Sequence, residues 1–503
     1  MDSPCAAVSM AGRNAILSHQ IHARLVRKLS DEWAYTLEKF SAITGRHRWL
    51  LRYRVSYFQQ YINLKTFNRI AYNFLLNIYL FFLHSISIFR GSFFQRSFLI
   101  RRGDIVFFLS QNITYLQHVV PVIKKYHEEG KNYIILCPGA ELKPVRKFLV
   151  QSNAHAERLI CVETVGKKRS DLIIRWLLFP LLFAVDYFQL SRLGLKNILL
   201  IPADFAKFSL VRHICEKRMD RWIPEIGMLI TATDHWMWES MLHEKAKALG
   251  IPNFIIQHGL FGDVFYPILG SHICVWGEYY RNILIDEMGA AENEVIVTGS
   301  GYFDELYNAY SKKKTEKKYL TFMSQPFGKT PLRLGPGLYE QTVEWLNSLI
   351  PLAEKHNLEL LVKLHPRDRE QFYPQLKGFS FTKKSLPDIL SQSRLAITVS
   401  STSILESSLL DVPVIQLYNP SFSTFYDLST SGLSILASSR QQLYELMEKL
   451  LSDEASYRQA VENIRRGREQ HFFRLGNSLE YFDRLILERY PALRRKIYPP
   501  AQV

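Results

Sequence analysis

From Asp104 onward, short apolar runs rich in β-branched residues alternate with longer stretches of helical periodicity. The runs Ile105–Leu109, Tyr133–Cys137, Leu159–Val162, Ile198–Ile201, Met228–Thr231, Phe254–Ile256, Ile273–Trp276 and Val295–Val297 predict strands. They are continuously apolar rather than alternating, as strands buried on both faces are, so the pattern predicts a mainly parallel, doubly wound sheet. A charged stretch, Lys312–Lys318, interrupts the rhythm. Beyond it Tyr319–Met323, Leu358–Leu364, Leu395–Val399 and Val414–Leu417 restart it, and a helical tail from about Gln441 to Tyr490 closes the chain. The fold class is therefore α/β, with two Rossmann-like domains at 104–310 and 311–503. No repeat at solenoid spacing and no low-complexity tract is visible.

Ahead of these domains, residues 1–103 read as a basic, aromatic, helical extension. Ile70–Phe89 is nearly long enough to span a bilayer, yet Asn73, Asn77 and His84 recur on one side at helical spacing. Lys65, Arg69, Arg90 and Arg96 flank it at both ends, which suits a helix lying in the headgroup region. A buried core helix and a true span are the competing readings. A second apolar patch, Leu172–Leu190, is interrupted by Arg175, Pro180 and Asp186. Peripheral attachment to the inner face of the cytoplasmic membrane is the expected location.

A hydrophobic content of 47% over 503 residues is enough for more than one real core. The formal charge of +16 favours an anionic partner: a membrane surface, a phosphate-bearing substrate or nucleic acid. Nucleic acid ranks last, because the basic residues are dispersed and no recognition module is present. Cys5, Cys137, Cys161, Cys215 and Cys274 form no C-x-x-C pair and show no metal-ligand spacing with histidine, so neither a disulfide framework nor a zinc site is expected. That usage fits a reducing compartment, and Met1–Ser18 lacks the apolar core of a secretory signal.

Three motifs fall where a buried parallel strand gives way to a loop, the position at which open α/β sheets collect ligands. The first is Gln257-His258-Gly259. An imidazole there can take a proton from an acceptor hydroxyl, and Gly259 would permit close approach. The competing reading is a satisfied core histidine. Asp263 either orients His258 or caps the next helix, while Asp234, His235, Trp238 and Glu239 either meet the acceptor or begin a structural helix.

In the second half, Lys363-Leu364-His365-Pro366, with Arg367 following, places an imidazole and two cations beside a strand end. One strand further on comes Ser400-Ser401-Thr402-Ser403, a hydroxyl cluster opening a helix that carries Glu406. Such a loop reads as a phosphate cradle with Glu406 toward a ribose, or as an ordinary helix cap.

Together with Trp276-Gly277-Glu278, Val297-Thr298-Gly299 and Asp304, these motifs make the chain, over roughly 104–480, resemble bacterial surface-polysaccharide glycosyltransferases of the GT-B fold. It is similar within that group to capsule-synthesis transferases, CDP-glycerol glycerophosphotransferases and bacterial sialyl- and polysialyltransferases. The resemblance implies two domains facing a cleft, His258 as general base, and His365 with Ser400 and Ser401 at the donor phosphate. Related nucleotide-sugar epimerases hold diphosphate and ribose with positions matching Ser401, Thr402, Ser403 and Glu406. Two departures are visible. Polysialyltransferases carry an acidic pair where this chain has Gln257-His258, and glycerophosphotransferases carry a Trp-His-Gly-Thr string, so neither a sialic acid nor a polyol phosphate donor follows.

The resulting expectation is a metal-independent, inverting transferase. It would move a sugar from a CMP- or UDP-type donor onto a surface glycan or lipid-linked acceptor such as capsule, lipopolysaccharide or teichoic acid. No cofactor is expected, since the activated donor is itself a substrate. Catalysis falls to His258 and Asp263. Donor binding falls to Lys363, His365, Pro366, Arg367, Ser400, Ser401, Thr402, Ser403 and Glu406, and acceptor binding to Asp234, Glu239, Gln257 and Gly259. The rivals are a polyol-phosphate transferase, a UDP-sugar 2-epimerase on the same fold, and a noncatalytic scaffold of a polysaccharide assembly complex.

Overall fold

The computed structural model describes residues 99–110, 113–165, 217–234, 237–260, 268–313, 315–325, 338–366, 368–418 and 427–493, with single positions at 86, 178 and 181. Apart from those single positions and its last residues, the expected extension 1–103 lies outside the described residues. So do Leu172–Leu190 apart from positions 178 and 181, Ile198–Ile201, Asp263 and Arg367. Among the described residues no helix is long and apolar enough to cross a membrane.

The chain divides into two compact units. The first holds the described residues up to Val275, together with Arg281–Tyr302 and the residues from Leu479 onward. Among the described residues its sheet has seven strands: β1 (Ile105–Phe108), β2 (Tyr133–Cys137), β3 (Leu159–Cys161), β4 (Met228–Thr231), β5 (Asn253–Ile256), β6 (His272–Val275) and β7 (Val295–Val297). They lie in the order β3-β2-β1-β4-β5-β6-β7, with every adjacent pair parallel. Alternation along the strands divides the core in two. Val106, Phe108 and Leu229 pack into one cluster, whereas Ile105, Phe107, Met228 and Ile230 pack into the other. That two-residue period, buried on both sides, is why the strands read as unbroken apolar runs.

The helix Ser478–Arg489 contributes Phe482 and Ile486 to the second cluster. It also carries Asp483, 2% exposed, which pairs with Lys125 at 2.9 Å and with buried Lys131. An uncompensated carboxylate would be costly there, and the two ammonium groups hold Asp483 below the usual carboxylate range against its burial.

The second unit comprises Trp276–Tyr280 and Phe303–Ser478. Its six strands among the described residues are β8 (Tyr319–Met323), β9 (Glu359–Lys363), β10 (Phe379–Thr382), β11 (Ser393–Thr398), β12 (Val414–Leu417) and β13 (Ile435–Ala437). They are ordered β10-β9-β8-β11-β12-β13, again all parallel. The apolar pattern does not single out the edge strands β10 and β13; both are short, and β10 is only half-buried. The helical tail is three helices, Arg440–Ser452, Glu454–His471 and Ser478–Arg489. Asp453 makes the first break, its carboxylate accepting the N–H groups of Ala455 and Ser456 as an N-cap.

Candidate functional site

In a doubly wound sheet the strand order reverses at one place, and the loops diverging there leave a crevice at the carboxyl ends of the strands. In the first unit the reversal falls between β1 and β4, and in the second between β8 and β11. The polar side chains gathered at these two places come from the sequence motifs and from residues the motifs do not mark.

In the first unit His258 follows β5 and is 7% exposed. Its Nδ1 is hydrogen-bonded to the carbonyl of Ala232, in the loop after β4. A carbonyl accepts only, so Nδ1 carries the proton and the lone pair of the neutral ring lies on Nε2. The ring rests against Tyr115, from the helix Ile113–Glu128 that follows β1, with centroids 3.6 Å apart. Gln257 is fully buried and donates from Nε2 to the Gly259 carbonyl at 3.0 Å. Among the described residues, a Cβ on Gly259 would meet no atom within 4 Å.

Asp234 and Glu239, expected at the acceptor, are 4% and 1% exposed. The Asp234 carboxylate accepts the Leu269 N–H at 2.8 Å and its carbonyl accepts the Ser240 hydroxyl, so it organises the loop after β4. Behind it, buried His243 bridges Thr231 and Asn253 at 2.7 and 2.8 Å. Burial holds that imidazole below its ordinary value despite nearby Asp234. His118, within hydrogen-bonding distance of Ser300 at 3.3 Å, is pushed down to about 3 by desolvation and is neutral. Neither histidine stands in a motif; each reads as an ordinary helix residue.

In the second unit His365, two residues past the end of β9, begins a tight turn, in which the Asp368 N–H donates to the His365 carbonyl at 2.8 Å. Pro366 takes the second position of that turn, where its fixed φ is favourable. The His365 N–H donates to the hydroxyl of Ser324, just after β8, at 2.9 Å. Ser324 in turn donates to Asp368 at 2.6 Å, and Tyr373 donates to the same carboxylate oxygen at 2.5 Å. The Tyr373 phenol is raised by burial and by that carboxylate. A buried carboxylate thus pins the loop carrying His365 to the end of the neighbouring strand. Ser324, Asp368 and Tyr373 were not among the expected site residues; an aspartate three positions after His365 is the signal that marks the turn.

Lys363 donates to the Lys384 carbonyl at 2.7 Å. Its ammonium is lowered by burial, with the Glu406 carboxylate opposing the shift, so the structure sets Lys363 and Glu406 in each other's field. After β11, the Ser401 hydroxyl accepts the Ser403 N–H at 3.2 Å, and Thr402 makes no side-chain cap. The helix Ser403–Leu409 starts where expected but has only seven residues, and Ser400 and Ser403 are 9% and 7% exposed. Two buried polar atoms near the reversal, Ser403 Oγ and Gln325 Nε2, have no partner among the described residues. Buried polar groups are nearly always paired, so these two are consistent with a ligand supplying the partner.

Trp276, Gly277 and Asp304 serve packing, whereas Glu278 is exposed. A Cβ on Gly277 would lie 2.5 Å from the Gln470 carbonyl oxygen, so only glycine fits that approach. Asp304 accepts the Gly476 N–H and the Ser478 hydroxyl, both at 2.7 Å.

No protein-family model matches the chain, and no curated protein matches it in sequence. Among solved structures, a putative UDP-N-acetylglucosamine 2-epimerase from Listeria monocytogenes superposes with a TM-score of 0.50 at 12% identity, covering 78% of this chain and 97% of that one. With two parallel Rossmann-like units, that likeness establishes the architecture. The fold is GT-B-like. Other similar structures include a UDP-GlcNAc 2-epimerase from Neisseria meningitidis, with TM-score 0.48, 13% identity, and coverage of 77% of this chain and 100% of that one. An Anabaena protein solved with UDP and glucose gives 0.47 and 11%, covering 78% and 100%. At such identities the likeness describes the fold alone.

Proposed function

We propose that this protein is a nucleotide-sugar enzyme, and specifically a glycosyltransferase whose second unit holds the donor and whose His258 activates the acceptor. The observation that carries the first part is the reversal point of the second sheet. There, a loop pinned by Ser324 and Asp368 carries His365, and buried hydroxyl and amide groups after β11 and β8 have no partner among the described residues. A nucleoside diphosphate supplies acceptor oxygens for such donors, and His365 with Lys363 would offset charge on the departing phosphate.

For the second part, the Ala232 carbonyl fixes the His258 tautomer that a general base needs, with Nε2 as proton acceptor. Attack by the deprotonated hydroxyl in one displacement would invert the anomeric centre. A surface polysaccharide acceptor and peripheral membrane attachment rest on the sequence resemblance and on Ile70–Phe89.

The test is a melting-temperature panel of CMP, CDP, UDP and GDP, since a ligand that binds only the folded state stabilises it by mass action. At least one should raise the transition. Incubation of the matching nucleotide sugar with glycan acceptors should then release the nucleotide. No stabilisation by any of the four would reject the donor site, and an epimerised sugar formed without acceptor would replace transfer by epimerisation.

A further inference from the structure

At the amino-terminal edge of the first unit's sheet, the edge away from His258, a second chemical cluster stands apart from the proposed function. His127 lies in the last turn of the helix Ile113–Glu128, and His155 and Glu157 lie in the loop leading into β3. The two imidazoles are stacked, with centroids 3.2 Å apart and planes 14° apart, and His155 Nδ1 is 3.2 Å from the Glu157 carboxylate. One ligating atom from each residue falls within 4.8 Å of the others. We propose that His127, His155 and Glu157 form a binding site for a borderline transition-metal dication of the Zn²⁺ class.

The chemistry of the set selects that class. Two imidazole nitrogens and one carboxylate are the donors Zn²⁺ takes at about 2.0–2.2 Å, leaving a fourth position for water. A hard ion such as Mg²⁺ prefers an all-oxygen shell. Ligands around a tetrahedral centre lie about 3.3–3.6 Å apart by the same bond lengths. The His torsion that turns each ring has a broad well, so the rings can turn out of the stacked arrangement until their in-plane lone pairs converge.

Two features support His127 and His155 in particular. The Tyr133 hydroxyl, at the start of β2, is 3.3 Å from His127 Nδ1. With Nδ1–H donating to it, the lone pair falls on Nε2, as outer hydrogen bonds do for metal-bound histidines. His155 has φ 52°, a left-handed conformation uncommon outside glycine, and that backbone sets its ring on His127. The adverse group is Arg158, whose guanidinium lies 4.4 Å over the Tyr133 ring. Glu157 and Glu128 oppose it electrostatically at His127. A bound ion would tie the end of the helix to the loop before β3. Because the same helix begins beside His258, through Tyr115, the ion would brace the scaffold rather than react.

The experiment uses the full chain, freed of metal with EDTA and titrated with Zn²⁺ against a chromophoric chelator. The melting temperature is read in parallel, without any activity assay. Wild type should show one equivalent with micromolar or tighter affinity and a rise in melting temperature, and Mg²⁺ should give neither. His127→Ala with His155→Ala should abolish that equivalent and the rise. Glu157→Gln, at an exposed position, should weaken binding about tenfold or more and serves if the double variant folds poorly. Unchanged stoichiometry and affinity in these variants, or Zn²⁺ binding no tighter than Mg²⁺, would overturn the proposal.

Discussion

Several polar groups near the reversal points of the two sheets are held in different ways. In the first unit His258, His243 and Asp234 are each held by protein atoms: the Ala232 carbonyl, Thr231 with Asn253, and the Leu269 N–H. In the second the loop itself is held, through Ser324 and Asp368, while Ser403 Oγ and Gln325 Nε2 are buried without a partner among the described residues. A group that must react is best fixed in one tautomer beforehand, whereas a group that must bind keeps its hydrogen bond for the ligand. This division suits a first unit that supplies proton chemistry and a second that supplies donor affinity.

The largest expected effect is on the reactive side. His258→Ala should lower the transfer rate by about a hundredfold to ten-thousandfold, the usual contribution of a general base, with nucleotide affinity nearly unchanged. Steady-state kinetics beside a binding isotherm checks this, and lost affinity at an unchanged saturating rate would assign the residue to binding. His365→Ala should act on both quantities, slowing transfer by about two to three orders of magnitude and weakening the nucleotide. Correct folding with normal activity would remove it from the site.

Acid should sharpen the comparison through stability. His118 in the first unit and His471 in the second are each desolvated and pushed down to about 3. Below pH 6.5 the unfolded chain binds protons at these positions that the folded chain refuses until about pH 3. Each therefore costs stability as pH falls through that window, by about 1.4 kcal/mol per pH unit. Denaturant melts at pH 7, 6 and 5 should show the decline, and His118→Gln should flatten it. An unchanged slope would mean that His118 titrates alike in both states.

The strands and the loops after them were legible because a parallel strand buried on both faces is a continuous apolar run, as in Met228–Thr231 and Tyr319–Met323. His258, His365 and Ser400–Ser403 could be located at strand ends for that reason. Their holders could not. Ala232 lies 26 positions from His258, and Ser324 lies 41 from His365 and 44 from Asp368. These contacts exist only because β4 pairs with β5 and β8 with β9, and an apolar pattern names strands without naming neighbours. The cluster of His127 with His155 was hidden in the same way, since a metal-ligand search by spacing sees only local sets.

The smallest effect is the most discriminating. Ser403→Ala removes a buried hydroxyl that has no partner among the described residues, so it should leave the ligand-free protein as stable as before or slightly more so. It should also weaken the nucleotide about tenfold, the worth of one hydrogen bond. The most direct test of the account is calorimetric titration of the stabilising nucleotide into wild type, Ser403→Ala and His258→Ala. The account predicts weakened binding in Ser403→Ala and near wild-type binding in His258→Ala. Wild-type affinity in Ser403→Ala together with lost binding in His258→Ala would contradict the division of labour between the two units.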